Sequence, residues 1–269
     1  MSLEIVAGTM SVLREDEGPV TIVRIDRPDA MNSFDQATVE DLADTLSTAM
    51  REPGTEAIVL AGGGDVFCTG ADLTTFAAAV QTGQASDVVR EVSSTMNEAI
   101  MAIVDGDKPV VGRIDGPAAG GGLGLALACD LRIASPQASF TPAFLGVGIS
   151  PDGGATWWLP RMIGEARARR LILQNETVTA EDADEWGLVS EVVDEDEIAE
   201  HTLDVARELA EGPSQAIADA KRHLGAGDEL RAHLEAETET TAASADTEDF
   251  AEGVEAFLAG REPAFDGGD

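Results

Sequence analysis

Apolar positions recur with two periods along this chain and divide it into short strands and longer helices. Near the start, Val20 and Ile22 alternate with Thr21, Val23 and Ile25 behind a Glu17-Gly18-Pro19 turn, so residues 12–27 read as a β-hairpin. Residues 35–50 switch to helical spacing, with Val39, Leu42, Ala43, Leu46 and Met50 on one face. Ala57 to Leu60 is a short, fully apolar strand, and helices are expected over 71–80 and 86–104. Val110, Val111 and Ile114 read as a buried strand, and Leu123, Leu125, Ala126, Leu127 and Ala128 as a buried helix. Two short strands follow over 130–134 and 138–140, then a helix over 164–174. A Thr179-capped helix stops at Gly187, and a last strand covers 189–193. Beyond it the pattern is helical over 195–210, 214–225, 229–243 and 247–259. Strand, helix, strand in this order predicts parallel α/β construction.

Composition narrows the class. The chain has 269 residues, 43% of them hydrophobic, which is enough for a sizeable core. No apolar run is long enough to span a membrane, and the N-terminus lacks a basic stretch ahead of an apolar one, so neither a membrane nor a signal peptide is expected. Cys68 and Cys129 have no C-x-x-C spacing, which points to free thiols, no metal site and a cytoplasmic location. The net charge of −34, from 51 acids and 17 bases spread along the chain, demands a solvated acidic surface. Self-repulsion of that size is screened by salt, so adaptation to very high salt, as in a halophile, is expected. The same charge argues against nucleic acid, whose phosphates are held by Lys and Arg.

Candidate chemistry gathers in two glycine turns. One is G-G-G-D-V-F-C-T-G-A-D-L over 62–73, directly after the Ala57–Leu60 strand. The other is D-G-P-A-A-G-G-G over 115–122, between the Val110–Ile114 strand and the buried helix. A helix that begins in glycines exposes N–H groups with no intrahelical partner, and its dipole adds positive charge there. Such a place suits a phosphate or a developing oxyanion, while close packing through small residues explains the glycines equally well. No Lys follows in P-loop register, and the dinucleotide fingerprint is incomplete. Two such turns can aim two N–H groups at one oxygen.

These two motifs, followed by G-I-S-P-D-G-G over 148–154, resemble the crotonase superfamily, the enoyl-CoA hydratase/isomerase family. R-P-D-A-M-N over 27–32, E-W-G-L-V over 185–189 and F-L-A-G-R-E-P-A-F over 257–265 extend the resemblance over nearly the whole chain. It implies a crotonase (ClpP-like) spiral of ββα turns over 1–200 and a C-terminal helical region over 201–269 for trimerisation and active-site cover. It also implies an acyl-CoA thioester substrate and a homotrimer or dimer of trimers. No cofactor is implied, CoA being part of the substrate. The oxyanion donors would be the N–H groups of Ala71 and Gly121. Thr69, Asp72, Leu73 and Gly122 would line the CoA path, with Arg261, and less strongly Lys221, reaching its phosphates. Asn32 and Ser33 would lie beside CoA, or cap the helix that follows. A salt bridge is the alternative for Arg261, as it is for Arg161, Arg167, Arg169 and Arg170.

The resemblance also shows what is missing. The two glutamates that a hydratase of this family uses would fall at Gly124 and Phe144. One acid remains nearby, Asp152 in S-P-D-G-G, either a helix N-cap or a base. Phe144, Trp157, Trp158 and Leu159 around it would raise its pKa and make it a base at neutral pH. P-D-G-G-A-T-W-W-L-P-R resembles the Δ3,Δ2-enoyl-CoA isomerases, including the phenylacetate-pathway ring-opening isomerase, where this Asp is the base. A one-base 1,3-proton shift from a 3-enoyl-CoA to a 2-enoyl-CoA is therefore expected. Rival readings are a hydratase with non-standard acids, an epoxide or oxepin-CoA isomerase, and a non-catalytic CoA-binding scaffold. His201, His223 and His233 fall far from the glycine turns, so surface or helix-end roles are expected for them.

Overall fold

The computed structural model describes residues 11–225 and 227–265. Its main sheet has six strands in the order β1 (Val12–Glu17), β2 (Val20–Ile25), β3 (Ala57–Gly62), β4 (Val110–Ile114), β6 (Leu131–Ala134) and β9 (Glu191–Val192). The hairpin pair β1–β2 is antiparallel and the other pairs are parallel. A second sheet is built from β5 (Pro117–Ala119), β7 (Ser139–Thr141) and β8 (Val178–Thr179). The helices, in chain order, are α1 (Gln36–Arg51), α2 (Leu73–Thr82), α3 (Ala85–Val104), α4 (Gly121–Ala128), α5 (Ala155–Ile163), α6 (Glu165–Leu173) and α7 (Ala180–Glu185). The C-terminal ones are α8 (Ile198–Ala210), α9 (Ser214–Leu224), α10 (Gly227–Ser244) and α11 (Glu248–Ala259).

One structural phrase repeats. After each long strand the chain crosses to a second layer, pairs there briefly, and enters a helix. Phe34 does this after β2, Cys68 and Ala71 after β3, β5 after β4 and β7 after β6. The parallel bridges Phe34–Ala71 and Cys68–Ala118 stack these crossings edge to edge. The result is the spiral of ββα turns.

Alternation along the strands explains why the sheet is covered on both faces. Val23, Ile25, Ile58, Leu60, Val110 and Ile114 point into the large core shared with α1, α3 and α4. Val20, Ala57, Val59, Val111 and Ile133 point the other way, where Ile198 and Ala206 of α8 cover them. The central strand β3, covered on both faces, is accordingly apolar and buried along its whole length. Asp35 caps α1 by accepting from Thr38 N at 2.9 Å, and its buried face runs through Val39, Leu42, Leu46 and Ala49. Both cysteines are free and buried. No helix among the described residues is long and apolar enough to cross a membrane.

The basic cluster on α5 and α6 is tied down. Arg169 pairs with Glu165 at 2.6 Å, Arg170 with Glu176 at 2.8 Å, and Arg161 lies 3.3 Å over the Trp157 ring. With 51 acids against 17 bases, most acids have no cation of their own. Raising KCl from about 0.1 M to about 1 M shortens the screening length from roughly 10 Å to roughly 3 Å. The melting temperature is expected to climb over that range, each kcal/mol of relieved repulsion being worth about 2–4 °C for a chain of this size. A melting series by circular dichroism that stays flat or falls rejects this expectation.

Candidate active site

A cavity of about 740 Å³ opens where the two glycine turns meet the S-P-D-G-G segment. Thr69, Ala71, Asp72 and Leu73 enter it from the first turn, Gly120 and Gly121 from the second, and Asp152 from the third. Phe34, Phe76, Val92, Met96, Phe144 and Ile149 supply apolar walls, and Phe257 and Leu258 of α11 also line it.

Ala71 is not helical, contrary to the expected helix over 71–80. It forms an extended bridge with Phe34, in which Phe34 N donates to Gly70 O at 2.9 Å and Asp72 N to Phe34 O at 2.9 Å. Asp72 is the cap of α2, accepting from Thr74 N at 3.0 Å. The bridge leaves Ala71 N–H with no acceptor among the described residues. Gly121 N–H is likewise free as the first residue of α4, one of the orphan donors every helix start carries. The turns touch: Gly70 has φ +86°, and a β-carbon there would stand 3.0 Å from Gly121 N and 3.0 Å from Ala119 O. Only glycine permits both that backbone angle and that approach. Two free N–H groups on adjoining turns, one with a helix dipole behind it, can receive an anion or a developing oxyanion.

Asp152 does not cap α5 through its side chain; Gly154 holds the cap position. The Asp152 carboxylate instead faces the cavity and accepts a hydrogen bond from Ser93 Oγ of α3 at 2.6 Å. Burial pushes its pKa up to about 6, the Ser93 hydrogen bond opposes the rise, and the negative charge of Glu237 adds to it. The wall beside it comes from Val92, Met96, Phe144 and Ile149 rather than from the tryptophans. Trp157 packs against His233 in a tilted arrangement, with ring centroids 5.3 Å apart. The next residue, Gly153, closes on the hole: a β-carbon there would lie 3.8 Å from Gly121 Cα.

The two positions where the resemblance would place a hydratase's glutamates also lie here. Phe144 is buried and lines the cavity. Gly124 is buried under the D-G-G turn, and a β-carbon at 124 would meet Gly153 O at 2.4 Å.

Other expected residues lie apart. Gly122 faces away from the cavity, with Cys68 O where its β-carbon would be. Arg261 is held by Glu252 through two hydrogen bonds of 2.6 and 2.9 Å and does not line the cavity. Lys221 is buried, donating to Asp130 at 2.5 Å and to Lys108 O at 2.9 Å, so it has no free reach toward a phosphate. Asn32 does not cap a helix. It is buried, accepts from Arg27 N and donates to Gly63 O and Val66 O, pinning the first glycine turn in place. Ser33 does line the cavity.

Sequence reasoning missed Ser93, Thr241 and Glu237. Each is a polar residue on the buried stripe of an otherwise amphipathic helix, and that is the signal that could have found them. His233, set aside as remote, lies 2.7 Å from Thr156 Oγ1, four residues after Asp152.

Comparison with known proteins agrees with this architecture. The enoyl-CoA hydratase/isomerase family model matches residues 15–268. The probable enoyl-CoA hydratase of Rhodobacter capsulatus is 39% identical over 92% of this chain and 95% of its own. The 1,2-epoxyphenylacetyl-CoA isomerase of Escherichia coli is 35% identical over 95% of this chain and 98% of its own. The crystal structure of an enoyl-CoA hydratase from Mycobacterium avium subsp. paratuberculosis superposes with a TM-score of 0.85 at 32% identity, covering 95% of this chain and 98% of that one. The chain therefore belongs to the enoyl-CoA hydratase/isomerase family.

Proposed function

We propose that this acyl-CoA enzyme moves the double bond of a 3-enoyl-CoA into conjugation, giving the 2-enoyl-CoA. The observation that carries the reading is the carboxylate inventory of the cavity. Asp29, Asp72 and Asp152 are its acidic lining residues among those described. Asp29 is exposed, and Asp72 is occupied by Thr74 and by Arg27 at 3.3 Å. Asp152 alone stands at the apolar end, and the positions that would carry a hydratase's two glutamates hold Gly124 and Phe144.

One carboxylate suffices for this chemistry. With Ser93 holding Oδ2, Oδ1 is free to take a proton from the α-carbon. The C–H electron pair moves into the thioester carbonyl, and the resulting enolate oxygen accepts from Ala71 N–H and Gly121 N–H. Each such donor is worth roughly 2.7–4 kcal/mol of barrier. The same proton returns from Oδ1 to the γ-carbon as the enolate collapses, so nothing is added and no cofactor is consumed. A base whose pKa lies near 6 is mostly ionised at neutral pH yet strong enough to abstract, which is the balance a proton shuttle needs.

A second reading has its own support. The 35% identical relative from Escherichia coli is named a 1,2-epoxyphenylacetyl-CoA isomerase, and Phe34, Phe76 and Phe144 give this cavity aromatic walls. The same base and hole would serve an aromatic acyl group.

The protein in molar KCl is to be given a 3-enoyl-CoA, a 2-enoyl-CoA and 1,2-epoxyphenylacetyl-CoA separately. Conjugated enoyl-thioester absorbance is expected to rise with the first and to persist with the second. Loss of absorbance with the second, and 3-hydroxyacyl-CoA as product, would establish a hydratase and overturn the one-base reading. Turnover of the third alone would select the aromatic substrate.

A further inference from the structure

One helix grips the catalytic turn from both sides. Along α10, His233, Glu237, Thr241 and Ser244 follow each other at spacings of four, four and three, so they share one face. Ser244 Oγ accepts from Ser150 N at 3.0 Å, and Thr241 Oγ1 lies 3.1 Å from Ser150 O and 3.2 Å from Pro151 O. On the far side of Asp152, Glu237 Oε2 accepts from Gly154 N at 2.7 Å. Its Oε1 accepts from Thr156 N at 3.2 Å and from Thr156 Oγ1, and faces His233 Nε2 at 3.2 Å. The α10 helix is itself fixed to α3, where Asn97 Nδ2 donates to Thr238 Oγ1 at 2.9 Å, and α3 supplies Ser93 to Asp152. Nothing in the proton shift consumes these bonds, and a buried glutamate is costly to keep without a reason.

We propose that Glu237, with Thr241 and Ser244, is a positioning residue for the Asp152 base: the stripe grips the turn on both sides of Asp152 and fixes where the carboxylate stands. The inference rests on the reading of Asp152 as the base. The charged groups around Glu237 are few. Asp152 faces it from the turn, His233 from its own helix, and the α5 N-terminus offers the N–H groups of Gly154 and Thr156. The neighbouring α3 contributes neutral Asn97 and Ser93, while its Arg90, and Asp105 just past its end, are taken by Glu239 and Arg231 in exposed pairs. Asp152 is therefore the ionisable group that the Glu237 charge repels, and removing that charge should make Asp152 a weaker base that ionises at lower pH.

Glu237→Gln and the near-isosteric Thr241→Val test this on the full chain, with kcat and KM for the 3-enoyl-CoA measured against pH. For Glu237→Gln the acid limb of the profile is expected to move to lower pH, with kcat down by about tenfold as base strength and turn geometry are both lost. For Thr241→Val the expectation is a kcat lower by about tenfold with KM and the acid limb unmoved. A folded Glu237→Gln protein with the wild-type kcat and acid limb overturns the proposal. If Glu237→Gln does not fold, wild-type kcat in both Thr241→Val and Ser244→Ala overturns it. Asp152→Asn separates the premises: turnover that survives it sinks the base reading and this inference together. Loss of turnover in Asp152→Asn, with no effect at Glu237, sinks this inference alone.

Discussion

Asp152→Asn is expected to cut turnover of a 3-enoyl-CoA by about 100- to 10,000-fold, the usual range for a general acid–base group, while acyl-CoA binding persists. The same substitution is expected to make the protein more stable at neutral pH. The sign follows from proton linkage. The folded-state pKa of Asp152 is raised from 3.8 to about 6, so the folded chain holds the proton more tightly than the unfolded one. Above pH 6 the buried carboxylate costs stability, and that cost fades as pH falls toward 4. Two units of raised pKa correspond to a cost on the order of 2–3 kcal/mol, or several degrees in melting temperature. The neutral amide keeps the shape, accepts from Ser93 and carries no such cost. Melting curves of both proteins at pH 8 and pH 4 check this: a gain at pH 8 that shrinks at pH 4 is the expected pair. Equal melting temperatures at pH 8 would mean the carboxylate is not destabilised by its surroundings. A gain of stability together with a loss of turnover is the trade-off expected of a catalytic carboxylate.

The fold was legible because its signals are local and repeated. The fully apolar strand at Ala57–Leu60, the helical stripe through Val39, Leu42 and Leu46, and the glycine turns after two successive strands each carry their own period. The misreadings lie at boundaries set by tertiary pairing. Ala71 looked like the first residue of a helix because an apolar run follows it, yet its backbone is claimed by Phe34, 37 positions earlier in the chain. β5 was invisible because Pro117-Ala118-Ala119 has no strand propensity of its own and pairs only because β7 and Cys68 lie beside it.

The site divides along the same line. Backbone donors in glycine turns leave a compositional mark, and an acid beside two glycines is conspicuous. Ser93, Thr241 and Glu237 left only a misplaced polarity on a helix face. In a chain with 51 acids, the buried glutamate of α10 cannot be told from the exposed ones without knowing which face turns inward. His233 is far from the turns in sequence, which points to a surface or helix-end role, but α10 folds back along α3 and returns it to the segment after Asp152. Arg261 and Lys221 show the converse. Their charge was evident, but the carboxylates that hold them, Glu252 and Asp130, are chosen by the fold.

Gly124→Glu, which puts a glutamate where the family resemblance would place one, is expected not to create a hydratase but to destabilise the protein severely. The reason is spatial before it is electrostatic. All eight residues of α4 are buried, and the β-carbon of any side chain at 124 would lie 2.4 Å from Gly153 O and 3.1 Å from Gly153 Cα. Those atoms are backbone, so no rotamer change relieves the clash, and overpacking alone costs roughly 1–3 kcal/mol. An unpaired carboxylate placed there adds a burial penalty of several kcal/mol more. The turn that must move is the one that carries Asp152, so the damage reaches the proposed base as well. Gly124→Ala isolates the steric part: it is expected to lower kcat for the 3-enoyl-CoA with a smaller loss of melting temperature. A Gly124→Glu protein that melts like the wild type and hydrates a 2-enoyl-CoA would show that the turn can yield the space. The expected outcome instead makes the two carboxylate positions mutually exclusive: with the D-G-G turn packed on α4, position 124 has room for a hydrogen and nothing larger.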